Sequence, residues 1–212
     1  MSKITNCPNC KAELNNGLFS NTKLLNDIQI RIINEYNDTK AGGYCTKCGN
    51  GLYDQHVKTM TAERNKLTKY LKDNIAAVPV ISTHSPLNWD YKILGMVTGQ
   101  STTGTGVVSE FTSSFTDFFG AQSGRYNQKL KAGENMCFSQ LRLQALDLGG
   151  NAVIATDIDY SEIGGSKGML MVCMAGTAIQ LNNVNILEKE TSEIIEKLSS
   201  VNERYRRLMK YG

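Results

Sequence analysis

The sequence predicts an α+β fold: a β-α-β-β core with a three-stranded antiparallel or mixed sheet in the order 1-3-2 and one long helix. A small cysteine-bearing unit precedes this core, and further helices flank it. Three observations carry the prediction. Residues 169–181 are apolar on both faces, as a central strand would be. Residues 90–98 and 151–163 read as strands that can flank it. Between those two, Tyr126, Leu130, Gly133, Cys137, Leu141, Ala145 and Leu148 recur at helical spacing, and Gly149-Gly150 stops the helix.

The bulk numbers bound the reading. A chain of 212 residues can bury a sizeable core, with one main domain and a small appendage. A hydrophobic fraction of 41% and a charged fraction of 20% exclude a disordered chain. A formal charge of +3 is too small to demand nucleic acid or an anionic membrane as partner. The start Met1-Ser2-Lys3-Ile4 opens no apolar signal segment. The longest apolar runs, 76–81 and 169–175, fall far short of the roughly 20 residues of a spanning helix. The expected location is the cytoplasm.

Six cysteines in such a chain point to metal rather than to a disulfide scaffold. Cys7-Pro8-Asn9-Cys10 and Cys45-Thr46-Lys47-Cys48 are two C-x-x-C pairs. Each places two sulfurs on one tight turn, within reach of a single ion at about 2.3 Å. Cys7, Cys10, Cys45 and Cys48 together would complete a tetrahedral site with no open position, a structural geometry for one zinc ion per chain. Iron in a rubredoxin-like site and a redox dithiol are the alternatives. Lys11 follows the first pair where glycine would fit more easily, whereas Gly49 and Gly51 after the second can take positive φ. Lys3, Lys11, Lys40 and Lys47 are near enough in sequence to offset the thiolate charge. The unit, residues 1–51, resembles the zinc ribbons. Residues 24–33 predict a strand and 34–43 a polar turn. So small a unit needs the metal to fold.

Residues 52–77 then predict a helix, with Val57, Met60, Leu67 and Leu71 on one stripe. Residues 76–81 form a short strand or arm, so that 52–82 connects the two domains, and 82–88 is the expected linker. A loop over 99–106 follows the first core strand, and 164–168 is a hairpin loop. With the last strand central, the other two are both antiparallel to it, and the long helix is their right-handed crossover. One sheet face is then bare, and too apolar for a monomer to expose. Residues 183–212 predict an amphipathic helix with a seam of Leu187, Ile194, Leu198, Val201, Tyr205 and Leu208. That seam is expected to pack on the helix at 52–77.

The core segments also carry a family resemblance. Val97-Thr98-Gly99, Asp117-Phe118-Phe119-Gly120, Gly124-Arg125-Tyr126, Gly150-Asn151-Ala152-Val153-Ile154, Asp157-Ile158-Asp159-Tyr160 and Gly176-Thr177-Ala178 resemble the YbjQ family, a heavy-metal-binding domain by its family description. The similarity covers about residues 90–182, within a domain drawn at 83–182. It implies the same β-α-β-β architecture, assembled as a homo-oligomeric ring, commonly a pentamer, with sheet edges joined between subunits. It implies little about activity. Family members usually carry glycine where this chain has Ala155, and an arginine where it has Gln122.

Other candidates are weaker. Asp157 and Asp159 alternate along one strand face, about 6.5–7 Å apart, and could bind a cation or ligand, although solvated carboxylates are ordinary there. Met136, Cys137, Met169, Met171, Cys173 and Met174 suggest a soft-metal site, but core packing explains them better. His56 and His84 are the only histidines, each expected at the surface. No hydrolase, zinc-protease or phosphate-loop motif is present, so no enzyme is expected. Arg204, Arg206, Arg207 and Lys210 would suit nucleic acid, but equally complement a helix dipole. The expected function is a cytoplasmic, zinc-bearing, ring-forming binding or scaffold protein, whose finger could engage a protein partner. The alternatives are a nucleic-acid-binding zinc ribbon and a ring that handles a small ligand or metal ion.

Overall fold

β1 (Tyr91–Thr103), β2 (Ala152–Ile163) and β3 (Met169–Leu181) form one sheet in the order β1-β3-β2. β3 is central and antiparallel to both neighbours, as its two apolar faces predict. This computed structural model describes residues 5–14, 23–38, 40–103, 124–163 and 169–211. The chain divides into two compact units, Met1–Lys69 with Arg204–Gly212, and Tyr70–Glu203. The division falls inside the second and fourth helices.

In the larger unit, helix α3 (Gly124–Asp147) covers one sheet face. Cys137, Leu141 and Ala145 pack there against Val97, Val153, Val172, Met174 and Ala178, all buried. Two glycines permit the approach. A Cβ at Gly99 would lie 2.7 Å from the carbonyl oxygen of Cys137, and one at Gly133 would lie 2.9 Å from Val172. Gly149, at φ +81°, donates its N–H to the Leu146 carbonyl, and Gly150 donates to Ala145. These paired bonds satisfy the last carbonyls of α3, as the glycine pair predicts.

β1 runs to Thr103, so residues 99–103, expected in a loop, continue the strand. Alternating Gly99 and Ser101, both buried, keep it seated against α3. The expected linker is also partly structured. Ile81 donates to Val153, Val153 to Pro79, Ala155 to Thr83 and Thr156 to Ile81, which lays 79–83 along the outer edge of β2. Ile81, Trp89 and Tyr91 then pack on Ala152, Ile154 and Ile179. They cover one end of the face opposite α3.

The remainder of that face mixes polar and apolar side chains. Asp157 and Asp159 on β2 stand beside Ala175 and Cys173 on β3, which stand beside Thr98 and Gln100 on β1. Met96, 76% exposed, and Ile93, 63% exposed, are apolar side chains of β1 on the same face. The period of two places the polar members of all three strands on one side, so this stretch tolerates water. The sequence motif at 117–120, Gln122, and the loops at 104–106 and 164–168 lie outside the described residues.

In the smaller unit, the expected strand at 24–33 is instead helix α1 (Asp27–Tyr36). Asn26 accepts from the Gln29 N–H while Gln29 accepts from the Asn26 N–H, a reciprocal cap that starts the helix where β-branched content suggested a strand. Ile33 faces a core with Cys7, Leu14, Leu25, Tyr44 and Cys45, while neighbouring Ile32 joins Met60 and Leu208. Helix α2 (Thr46–Asn74) begins six residues before the predicted start. Gly49 therefore lies within a helix, and a Cβ there would meet Leu25 at 2.7 Å, so its role is close packing rather than a turn.

Helix α4 (Lys189–Met209) buries Ile195, Leu198, Asn202 and Leu208. Ile194, Val201 and Tyr205 of the predicted seam are only half-buried. The buried stripe is displaced by one residue at its start and admits Asn202, which donates to Asp147 at 3.2 Å. Leu208 packs with Met60, flanked by Val57 and Leu67, as the predicted helix pairing requires. Among the described residues, no helix is long and apolar enough to cross a membrane.

Candidate metal centre

Cys7 and Cys10 sit on a turn closed by an antiparallel bridge between Asn6 and Glu13. Within it, Cys7 donates its N–H to Ala12 and accepts that of Lys11, each at 2.8 Å. Lys11 takes φ +61°, the left-handed conformation for which a glycine was expected. Cys45 is bridged to Leu24, and Leu25 donates to Tyr44 at 3.0 Å. α2 then starts at Thr46, so Cys48 lies in its first turn. The second pair is thus presented by a bridge and a helix start, not by a second glycine-rich turn.

The four cysteines converge. Their Sγ atoms all lie within 4.8 Å of one another. Cys7 is 3.5 Å from Cys48, Cys10 is 3.5 Å from Cys45, and Cys45 is 3.4 Å from Cys48. Four thiolates at about 2.3 Å around one ion would stand roughly 3.8 Å apart, so the cluster fits a tetrahedral centre with little adjustment. Cys7 and Cys45 are buried, Cys48 is half-buried and Cys10 is exposed. The arrangement can hold a metal and leaves it no open coordination position.

The electrostatics argue for a cation. Burial alone would raise the Cys7 thiol, but the backbone groups of Cys10, Cys45 and Asn9 outweigh it and bring it to about 6. Cys45 is likewise lowered, against its burial, chiefly by the Cys48 backbone. Cys48 is pushed up to about 12, first by burial and further by the three neighbouring sulfurs, with Asn9 opposing. Two thiolates formed easily therefore disfavour a further one. A divalent ion among them would remove that repulsion and favour the thiolate form.

The other candidates fare differently. Asp157 and Asp159 do share a face, are exposed, and border a shallow cleft with Thr98, Gln100, Cys173 and Ala175. Among the described residues, only the four cysteines bring three or more cysteine, histidine or carboxylate ligands together. Cys137 is buried and donates to the Val172 carbonyl at 3.3 Å, and Met174 lies in the same core. Cys173 alternates to the opposite face, so the proposed soft-metal set is split across the sheet. His84 is exposed. His56 is half-buried, stacked on Tyr36 at 5.7 Å and bonded to Asn37 at 3.1 Å, and its burial lowers its pKa.

Sequence reasoning missed an ion-pair network in the smaller unit. Arg204 grips Glu63 through Nε at 2.7 Å and Nη2 at 3.0 Å, and its Nη1 bonds Glu35. Tyr211 donates to Glu35 at 2.7 Å, Arg207 reaches it at 3.1 Å, and Tyr36 donates to Glu63 at 2.7 Å. The basic C-terminus gave a signal, but its partners are 141 and 169 residues away.

One solved structure, of a protein of unknown function from the DUF74 family of Pediococcus pentosaceus, is similar at 16% identity. The match covers 49% of this chain and 96% of that one, with a TM-score of 0.36. Residues 80–182 match the family model YbjQ_1, described as putative heavy-metal-binding, so the β-α-β-β domain carries that family's pattern, while the four cysteines lie outside the match.

Proposed function

We propose that the four-cysteine unit holds one structural zinc ion and that the β-α-β-β domain assembles into a homo-oligomeric ring, of five subunits by resemblance. The protein then works as a binding or scaffold module, not as an enzyme, in the reducing cytoplasm where free thiols persist. The observation that carries the metal reading is the convergence of four sulfurs drawn from residues 7–48. Cys7, Cys10, Cys45 and Cys48 would supply all the ligands, and the ion would supply folding energy that a unit of this size lacks. The finger is also the natural place for a protein partner.

Native mass spectrometry of the full chain, purified without chelator, tests both halves. One zinc per chain and a discrete oligomer are expected. Elemental analysis finding neither zinc nor iron would overturn the metal reading, and a monomer at working concentration the ring.

A second reading has its own support. The open cleft that Asp157 and Asp159 border suits a cation or small ligand handled by the assembled ring. Nucleic-acid binding is less well supported, because Arg204 and Arg207 are occupied by Glu35 and Glu63.

A further inference from the structure

The outer edge of β1 is already hydrogen-bonded, and not by a strand. Gln140 on α3 accepts the N–H of Gln100 at 2.9 Å and donates to its carbonyl at 3.1 Å. Gln144, one turn along, accepts the N–H of Thr98 at 3.3 Å and donates to its carbonyl at 2.5 Å. A carboxamide is the functional group of a peptide bond, so each side chain supplies the donor and acceptor that a neighbouring strand would.

The spacings agree. Positions i and i+4 of a helix rise about 6 Å, and two outward-facing strand residues are about 6.7 Å apart. α3 runs antiparallel to β1 here, which pairs 140 with 100 and 144 with 98. Elsewhere the chain uses the same reciprocal amide at Asn151 with Leu181 and at Asn34 with Ala41, in part-buried gaps. On β1 the bonds are exposed, where water could serve the backbone equally well. What water cannot do is exclude another strand.

We infer that Gln140 and Gln144 guard the β1 edge, closing it to strand addition by a second copy of this chain. Sheets of two copies then cannot join edge to edge at Thr98 and Gln100. The inference stands whether the protein is a ring or a monomer, since its readout is a change on substitution.

The test is Gln140→Ala with Gln144→Ala in the full chain, followed by light scattering and amide exchange over a concentration series. The substitutions suit a helix surface. Faster exchange at Thr98 and Gln100 in dilute protein is expected, with larger species as concentration rises. Met96→Lys, placing a charge on the same edge, should reverse the association in the double variant. Gln140→Asn with Gln144→Asn, whose amides are one methylene too short, should behave like the alanine pair and decides the matter if that pair misfolds. An unchanged size distribution at every concentration would overturn the inference. So would larger species that Met96→Lys leaves intact.

Discussion

Replacing Arg204 with alanine should loosen the smaller unit far more than replacing Arg207. Truncation removes three charge-assisted bonds, two to Glu63 and one to Glu35. Glu35 is only 4% exposed in its side chain, so it would remain buried with weaker compensation from Arg207 and Tyr211. Breaking a buried pair costs about 3–5 kcal/mol, and the 29% exposure of Arg204 together with the surviving partners argues for about 3. Arg207 is 58% exposed, and its loss should cost below about 1 kcal/mol. Amide exchange read across α1 and residues 204–209 should therefore accelerate about a hundredfold in Arg204→Ala and a few-fold in Arg207→Ala. The two pairs also predict a pH dependence. Hydrogen bonds from Tyr211, Arg204 and Arg207 hold Glu35 below the usual carboxylate value against its burial, and Arg204 does the same for Glu63. Their stabilisation is full above the unfolded value of 4.5 and disappears as pH falls through the lower folded values. The gap between parent and variant should narrow over that range. Equal exchange rates in the two variants at neutral pH would refute the reasoning.

Lys11→Gly and Ala155→Gly should each stabilise their unit by about 0.5–1 kcal/mol in denaturant titrations, because both residues hold positive φ, +61° and +53°. Loss of stability in both would remove the strain argument. The hydroxyl of Thr156 is buried and has no partner among the described residues. Thr156→Val should raise the unfolding free energy by up to about 1 kcal/mol, and a drop would mean that water or another group serves that oxygen. Gly99→Ala should cost more than about 2 kcal/mol, since the new methyl meets α3 backbone that cannot rotate away; a neutral result would show that α3 shifts freely. Chelation of the four-cysteine site should raise exchange over residues 5–50 and leave the sheet at 91–181 unchanged, and protection of 5–50 that survives metal removal would contradict metal-dependent folding.

Periodicity and punctuation determined much of this protein from its sequence. The helix ending at Gly149-Gly150 and the two apolar faces of β3 fixed the order β1-β3-β2, because only one right-handed crossover satisfies them. Two C-x-x-C pairs were enough to name the four cysteines that converge, since the chemistry of thiolate and metal is carried by residue type and local spacing. Lys11 was recognisable as a residue standing where glycine is easier, a local property of backbone sterics, and Ala155 only through the family resemblance. Long-range partners were not legible. α1 formed where β-branched residues suggested a strand, because its cap and the buried Ile32 and Ile33 outweigh a propensity difference of a few tenths of a kcal/mol. The alignment of 79–83 with β2, the bonds of Gln140 and Gln144 to β1 and the grip of Arg204 on Glu35 and Glu63 all join residues distant in sequence. Those pairings depend on which side chains the folded backbone brings within about 3 Å, and spacing along the chain carries no record of that distance.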